Sequence, residues 1–308
     1  MVLKGVLFFF LGLACSNSFA LDKSKWMGEL YQSRPDTPLT GMTIPRTHNA
    51  GTYKITPSSD IVPGESKWYY LGKHLVSSWA KTQYRTIYEQ LELGIRSFDF
   101  RIALDVAGVP WIGHAMYSVP LKEALSDIQR FTQEHPLEVV LLTYVLETAY
   151  ARVVSEERGR EILQETTLAT EKSLPGKVLP FSQSVTLKDF WEYRKSIVIL
   201  NEVQKVWPNS YQTDEVYRQL DQAAALNRAN AFTELQLIFT VSKEFKHFIN
   251  PKYFFFQGPE DNCLSLFSAD LRKLGPSWIR YWREMGYHLN LVATDFFDQF
   301  PFVESLLE

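Results

Sequence analysis

Sulfur is scarce in this chain, and so is surplus positive charge. There are two cysteines in 308 residues. Cys15 falls inside an expected leader, and Cys263 then stands alone, which excludes an intramolecular disulfide, a cysteine-based zinc site and a thiol redox pair. Cys263 reads as a small buried hydrophobe, with a nucleophilic thiol as the alternative. Lys and Arg number 32 against 35 Asp and Glu, a formal charge of −3. Such a chain lacks the basic face that supplies most nucleic-acid affinity. No segment approaches about 18 uninterrupted apolar residues, so a transmembrane helix is not expected in the mature chain. A glycine-rich turn after the first expected strand is also missing, which removes the usual nucleotide-binding reading.

What is present is a large apolar fraction, 45%, with 8 Trp, 15 Tyr and 21 Phe. That suffices for a sizeable core and argues against disorder. Lys4, the apolar stretch 5–14 and Ser18-Phe19-Ala20 have the form of an export signal cut after Ala20. The expected organisation is a signal peptide at 1–20 and one catalytic domain at 21–308, exported to a periplasm or secreted, and monomeric. A second reading makes Cys15 a lipid anchor, but Gly12 stands where such a signal wants a large aliphatic residue.

Strand-like patterns at 41–44, 95–103, 109–113, 138–144, 196–200, 235–240 and 290–294 alternate with helical ones at 82–93, 121–134, 155–172, 187–193, 213–231 and 276–285. Residues 53–78 and 252–265 read as long aromatic loops, and such loops beside a site tend to be lids or binding elements. Repeats and low-complexity linkers are missing. The alternation predicts an α/β fold, a single TIM-type βα barrel, with an open doubly wound sheet as the alternative.

In a barrel the reactive groups sit where strands end. His48, between Pro45 and Gly51, follows the first expected strand; Asp99 and Arg101 share one face of the second; His114 ends the third; Asp295 ends the last. Two His, two Asp and one Arg at one mouth form an acid–base set suited to phosphoryl transfer. One His takes a proton from an attacking hydroxyl, the other gives one to the leaving oxygen, and Arg101 offers planar donors to the phosphoryl group. The bland alternatives are a loop His on a backbone carbonyl and an Asp99–Arg101 ion pair with a structural role.

Thr47-His48-Asn49-Ala50-Gly51-Thr52, Gly94-Ile95-Arg96-Ser97-Phe98-Asp99-Phe100-Arg101, His114 and Asn290-Leu291-Val292-Ala293-Thr294-Asp295-Phe296 together resemble the X-domain of the phosphatidylinositol-specific phospholipase C superfamily. Arg101 stands where the calcium-dependent branch places an acidic ligand, so the chain resembles the bacterial, metal-independent type. The resemblance implies His48 as general base, His114 as general acid, Asp99 and Asp295 as their partners, and Arg101 on the phosphate. It further implies an imperfect TIM barrel, a phospholipid substrate at a membrane surface, release of diacylglycerol and a cyclic inositol phosphate, and no cofactor.

Two positions depart from the bacterial pattern. Asn49 is Asn in the calcium branch and acidic in the bacterial one, which leaves a calcium role open; Arg46 replaces a Gly. Residues 144–146 also lack the basic residue that the bacterial enzymes use on the inositol. Asn49, Asn201, Glu202 and Trp207 are the expected substrate contacts, the last three with capping the barrel as an equal alternative. Competing functions are a metal-dependent glycerophosphodiesterase or sphingomyelinase-like enzyme using Glu202 or Asp99, and a silent lipid-binding barrel.

Overall fold

In the computed structural model, which describes residues 21–240 and 263–307, ten strands build one sheet. They are β1 (Ile44–Thr47), β2 (Ser97–Leu104), β3 (Pro110–His114), β4 (Met116–Pro120), β5 (Val140–Leu146), β6 (Val178–Leu179), β7 (Ile197–Ile199), β8 (Gln204–Val206), β9 (Thr233–Leu237) and β10 (Leu291–Thr294). Eight run parallel in the order β6-β7-β5-β2-β1-β10-β9-β8, and β3 and β4 hang from β2 as an antiparallel hairpin. The helices are α1 (Trp26–Tyr31), α2 (Trp68–Leu71), α3 (Lys73–Ala80), α4 (Ile87–Glu92), α5 (Leu121–Glu134), α6 (Glu156–Ser173), α7 (Leu187–Glu192), α8 (Thr213–Leu226), α9 (Cys263–Phe267), α10 (Ala269–Glu284) and α11 (Phe302–Leu307).

The sheet curls into an incomplete barrel. β8 lies four strand spacings from β2, about 19 Å in a flat sheet, yet Lys205 Nζ on β8 is 3.2 Å from Asp99 Oδ1 on β2. Among the described residues no ladder joins β8 to β6 or β7, so the closure leaves a seam there. Strand periodicity sorts the side chains. Phe98, Phe100 and Ile102 of β2 pack outward with Ile128 and Phe131 of α5, whereas Ser97, Asp99 and Arg101 turn inward to other strands. The lower end of the barrel is filled by Ile44, Leu141, Val198 and Leu291 and closed by Trp26 and Met27 of α1.

Helix starts follow local chemistry. Thr86 and Glu89 form a capping box at α4, Thr186 and Asp189 another at α7, and Ser155 accepts from Arg158 N at α6. Several boundaries differ from the sequence expectation. β1 begins at Ile44, where the first strand was expected to end; Leu39–Gly41 is a 3-10 turn, and the Asn290 amide donates to the carbonyls of Leu39 and Met42, outside any ladder. The expected loop 53–78 contains α2 and the start of α3, split by Gly72. β4, β6 and β8 lie in stretches read as connections, and α10 starts seven residues before Pro276 and runs through it. The expected signal peptide and residues 252–262 of the second loop, with Phe254, Phe255 and Phe256, lie outside the described residues.

Candidate active site

Three strand ends deliver three ionisable groups to one cavity, and each leaves its strand the same way. His48 follows β1, His114 closes β3 and Asp295 follows β10; the next residues, Asn49, Ala115 and Phe296, have φ of 45°, 58° and 49°. A left-handed non-glycine residue costs about 1–3 kcal/mol and persists where neighbours hold it. Each turn is held by hydrogen bonds. The Thr82 hydroxyl is shared between the carbonyls of His48 and Asn49 (3.2 and 3.1 Å), the Phe296 N–H donates to Thr82 O (2.9 Å), and the Ala115 N–H donates to Glu147 Oε1 (3.1 Å).

The histidines have different partners. His48 Nδ1–H donates to Asp295 Oδ1 at 2.9 Å, which fixes the tautomer and leaves Nε2 as the atom free to take a proton. His114 Nδ1 lies 3.0 Å from Ala80 O; a carbonyl only accepts, so Nδ1 carries the proton and Nε2 is again the working atom. Burial pushes the His114 imidazolium down, the Ala80 carbonyl pulls it back up, and the neighbouring His48 lowers it again, for a net value below the ordinary histidine.

Beneath them lies a charged layer. Asp99 is fully buried and accepts from Arg101 Nε at 3.0 Å and Lys205 Nζ at 3.2 Å. Arg46, also fully buried, points Nη2 at Asp99 (3.6 Å) and Nε at Glu234 (3.3 Å), and donates to Ser97 Oγ at 2.6 Å. Burial alone would raise the Asp99 carboxyl, but Arg101, Lys205 and Arg46 hold it well below the usual carboxylate range. Asp99 in turn raises the Arg101 guanidinium. Three cations, Arg46, Lys205 and Arg101, face two anions, Asp99 and Glu234, in this layer, and Arg101 and Lys205 reach the cavity, which Glu65, Glu147 and Asp295 also line.

The cavity above measures about 1030 Å³. His48, Asn49, Arg101, His114, Lys205 and Asp295 line its polar side, and Leu75, Val76, Trp79, Ile238, Phe239 and Leu264 its apolar side. Trp207 stands at the rim, its indole N–H donating to Thr240 Oγ1 at 2.7 Å. His48, Arg101, His114, Asp295, Asn49 and Trp207 are thus brought together, with Asp99 directly below. Two expectations are corrected. Asp99 partners Arg101 and Lys205, with a backbone carbonyl taking its expected place beside His114. Asn201 and Glu202 are not in this mouth: β7 ends at Ile199, and Asn201 borders a second cavity of about 490 Å³ at the seam with α6, while Glu202 is solvent-exposed.

Sequence reading missed Lys205, Glu147, Thr82 and Gln83. Lys205 sits on a three-residue strand of weak pattern; the only hint was Trp207 two residues on, which strand alternation puts on the same face. His135 and His288, expected to be surface or capping residues, bond Glu92 (2.9 Å) and Thr40 O (2.7 Å) away from the cavity.

Fold and mouth define a class: a β/α barrel protein with proton-carrying side chains grouped at the C-terminal strand ends. No protein-family model matches the chain. It is 40% identical over 109 residues to a PI-PLC X domain-containing protein of Dictyostelium discoideum, covering 35% of this chain and 19% of that one. It is 27% identical over 246 residues to human PI-PLC X domain-containing protein 1, covering 71% and 72%. The match spans 17% to 60% of the length of several other curated PI-PLC X-domain relatives. In fold it is similar to the phosphatidylinositol-specific phospholipase C from Listeria monocytogenes, with TM-score 0.62 and 18% identity over 93% of this chain and 98% of that one. The chain is thus similar in sequence to PI-PLC X domain-containing proteins and shares the fold of a bacterial phosphatidylinositol-specific phospholipase C.

Proposed function

We propose that the chain is an exported phospholipase C-type phosphodiesterase, acting at a membrane surface on a phosphatidylinositol-type phospholipid without a metal. The observation that carries this is the pair of fixed tautomers: two imidazoles present Nε2 to one cavity beside Arg101. A headgroup hydroxyl next to the phosphorylated carbon attacks phosphorus, and its proton passes to His48 Nε2. The bond from phosphorus to the glycerol oxygen breaks, and that oxygen takes the proton from His114 Nε2. Diacylglycerol and a cyclic phosphodiester result, and water opens the ring with the two roles reversed. Asp295 orients His48 and stabilises its imidazolium. Arg101, steadied by Asp99, donates to the phosphoryl oxygens as charge develops. Holding attacker and phosphorus in one molecule supplies much of the rate.

Arg101 and Lys205, both lining the cavity, offer N–H donors to one phosphodiester anion. The apolar wall suits the glycerol and upper acyl carbons, and Trp207 offers a flat face to a polyol ring. Helix α2 turns Tyr69 toward the cavity while Trp68 and Leu71 are 77% and 81% exposed, a pattern suited to a lipid interface. Among the described residues no helix is long and apolar enough to cross a membrane.

A divalent cation fits this mouth poorly. Asn49 Oδ1 is buried without a hydrogen-bond partner and is one hard oxygen, but the nearby carboxylates are occupied. Asp295 holds His48, and Glu147 accepts the N–H groups of Ala115, Ala149 and Tyr150. A calcium site wants six or more oxygens, and Arg101 and Lys205 crowd this one with positive charge. The test uses purified protein on liposomes of phosphatidylinositol, phosphatidylcholine and sphingomyelin, with and without chelator, with products followed by phosphorus NMR. A cyclic phosphate from phosphatidylinositol, unaffected by chelator, is expected. Complete loss in chelator supports the metal-dependent reading, and binding without turnover on every lipid supports the silent barrel.

A further inference from the structure

Both histidines and the two residues that flank Asp295 are held by one short segment, 80–83, which starts at the last residue of α3 and leads toward α4. Ala80 O fixes the His114 tautomer at 3.0 Å. The Thr82 hydroxyl reaches the carbonyls of His48 and Asn49, and Thr82 O receives the Phe296 N–H. The Gln83 side chain is fully buried, and its Nε2 donates to His48 O and Thr294 O, each at 3.0 Å. Two carbonyls converge on one amide nitrogen, which settles the orientation of that amide.

We propose that Gln83 is a positioning residue for the acid–base pair, clamping β1 to β10 at the point where they hand over His48 and Asp295, with segment 80–83 as a strap tying that pair to His114. The backbone shows why a clamp is needed. The parallel ladder between β1 and β10 runs from Ile44↔Leu291 to Thr47↔Thr294 and ends there. Beyond it the two chains leave through left-handed residues, Asn49 and Phe296. One backbone bond, His48 N to Thr294 O at 3.2 Å, spans the exit. The two N–H groups of Gln83 extend the connection by one rung on the carbonyl side, so the His48 ring and the Asp295 carboxylate emerge at a fixed separation. Thr52 Oγ1 anchors the strap by accepting from Thr82 N (3.0 Å) and Gln83 N (3.2 Å). Because the strap continues directly from α3, which supplies Val76 and Trp79 to the apolar wall, the wall facing the lipid and the proton-transfer groups form one connected unit.

Asn290 supplies an internal control. At the opposite end of the barrel its Nδ2 also bridges two carbonyls, those of Leu39 and Met42, at 2.9 Å each. Gln83→Met and Asn290→Leu each remove an amide that bridges two carbonyls, and Asn290→Leu also removes the acceptor of the Thr233 N–H. The NMR signal of the His48 Nδ1 proton, held by Asp295, and lipid turnover are measured for both. Gln83→Met is expected to weaken or abolish that signal and to lower kcat about ten- to a hundredfold with KM unchanged. Asn290→Leu is expected to lower stability with signal and kcat intact. A normal His48 signal and normal kcat in Gln83→Met, or equal kcat losses in both variants, overturn the clamp. If Gln83→Met does not fold, the isosteric Thr82→Val is read on the same signal, where a native resonance with native kcat overturns the strap. The kcat arm rests on the proposed reading of His48 as base and the NMR arm does not, so a protein that cleaves none of the lipids refutes that reading while the resonance still judges the clamp.

Discussion

Two arginines in this barrel are completely buried, and they are treated in opposite ways. Arg96, near the lower end, has acceptors for all five of its N–H groups: Glu138 Oε2 for Nε, Leu91 O and Ile95 O for Nη1, and Lys23 O and Ser24 O for Nη2. Glu138 also receives the N–H groups of Met27 and Gly28 in α1. Arg46, under the mouth, makes one hydrogen bond, to Ser97, and its Nε and Nη2 have none; the carboxylates they face lie 3.3 and 3.6 Å away. A buried charge stabilises a fold only when its donors are fully matched. Arg96 therefore serves the fold, tying the closing helix to β2. Arg46 is left partly unmatched where its field reaches the cavity, an arrangement that helps an anion at the cost of some stability.

The largest expected effect comes from breaking the matched site. Arg96→Met strands Glu138 in an apolar environment and should cost about 3–5 kcal/mol, read as a lower urea midpoint, with the turnover of the folded fraction unchanged. Arg46→Met should cost less, because Asp99 and Glu234 keep Lys205 and Asp99 keeps Arg101. It should instead weaken binding of a phosphodiester analogue roughly tenfold, the scale of one unit charge acting at an effective dielectric of about 20. If Arg46→Met proves the more destabilising while leaving analogue binding untouched, the contrast between the two ends fails.

Arg101 sharpens the comparison one layer higher. It is held by Asp99 but lines the cavity, so it is matched on one side and open on the other. Arg101→Gln should lower kcat/KM about 10²–10³-fold, the usual loss for a donor aimed at developing charge, with little change in the urea midpoint. A large fall in stability with a small fall in rate would reassign Arg101 to the structural role of Arg96.

How much of this was legible beforehand depended on whether a residue's role is local or made by closure. His48, His114 and Asp295 were readable because each ends an apolar strand pattern, and the alternation at 97–102 put Asp99 and Arg101 on one inner face. The barrel itself followed from strands alternating with helices. Lys205 was hidden because β8 has three residues with mostly exposed side chains, and its value comes only from the curl that carries it to Asp99. Asn201 and Glu202 misled for the reverse reason: they do follow a strand, but the chain turns there toward the seam. Gln83 was unreadable, since an amide that bridges carbonyls of residues 48 and 294 leaves no periodic trace. The expected pairing of Asp99 with His114 failed because two cations closer by compete for the carboxylate.

The smallest expected effect concerns His114, whose partner is a neutral carbonyl whereas His48 has a carboxylate. Burial lowers its pKa below the ordinary histidine value in the free protein, which disfavours the imidazolium form that donates a proton. An anionic phosphodiester in the cavity reverses this, because its charge favours the imidazolium. Carbon-detected NMR of the His114 ring should therefore show titration below pH 6.5, moving upward when a phosphonate analogue binds. The sign for stability follows from the same shift. The folded protein prefers neutral His114, so its contribution is present above the unfolded value near 6.5 and is lost as pH falls through the lower folded value. The urea midpoint of His114→Asn should accordingly be less sensitive to pH than the parent below 6.5. A His114 that titrates above 6.5 without ligand would mean that the carbonyl and Glu147 outweigh burial, and the proton donor would then be charged before substrate arrives.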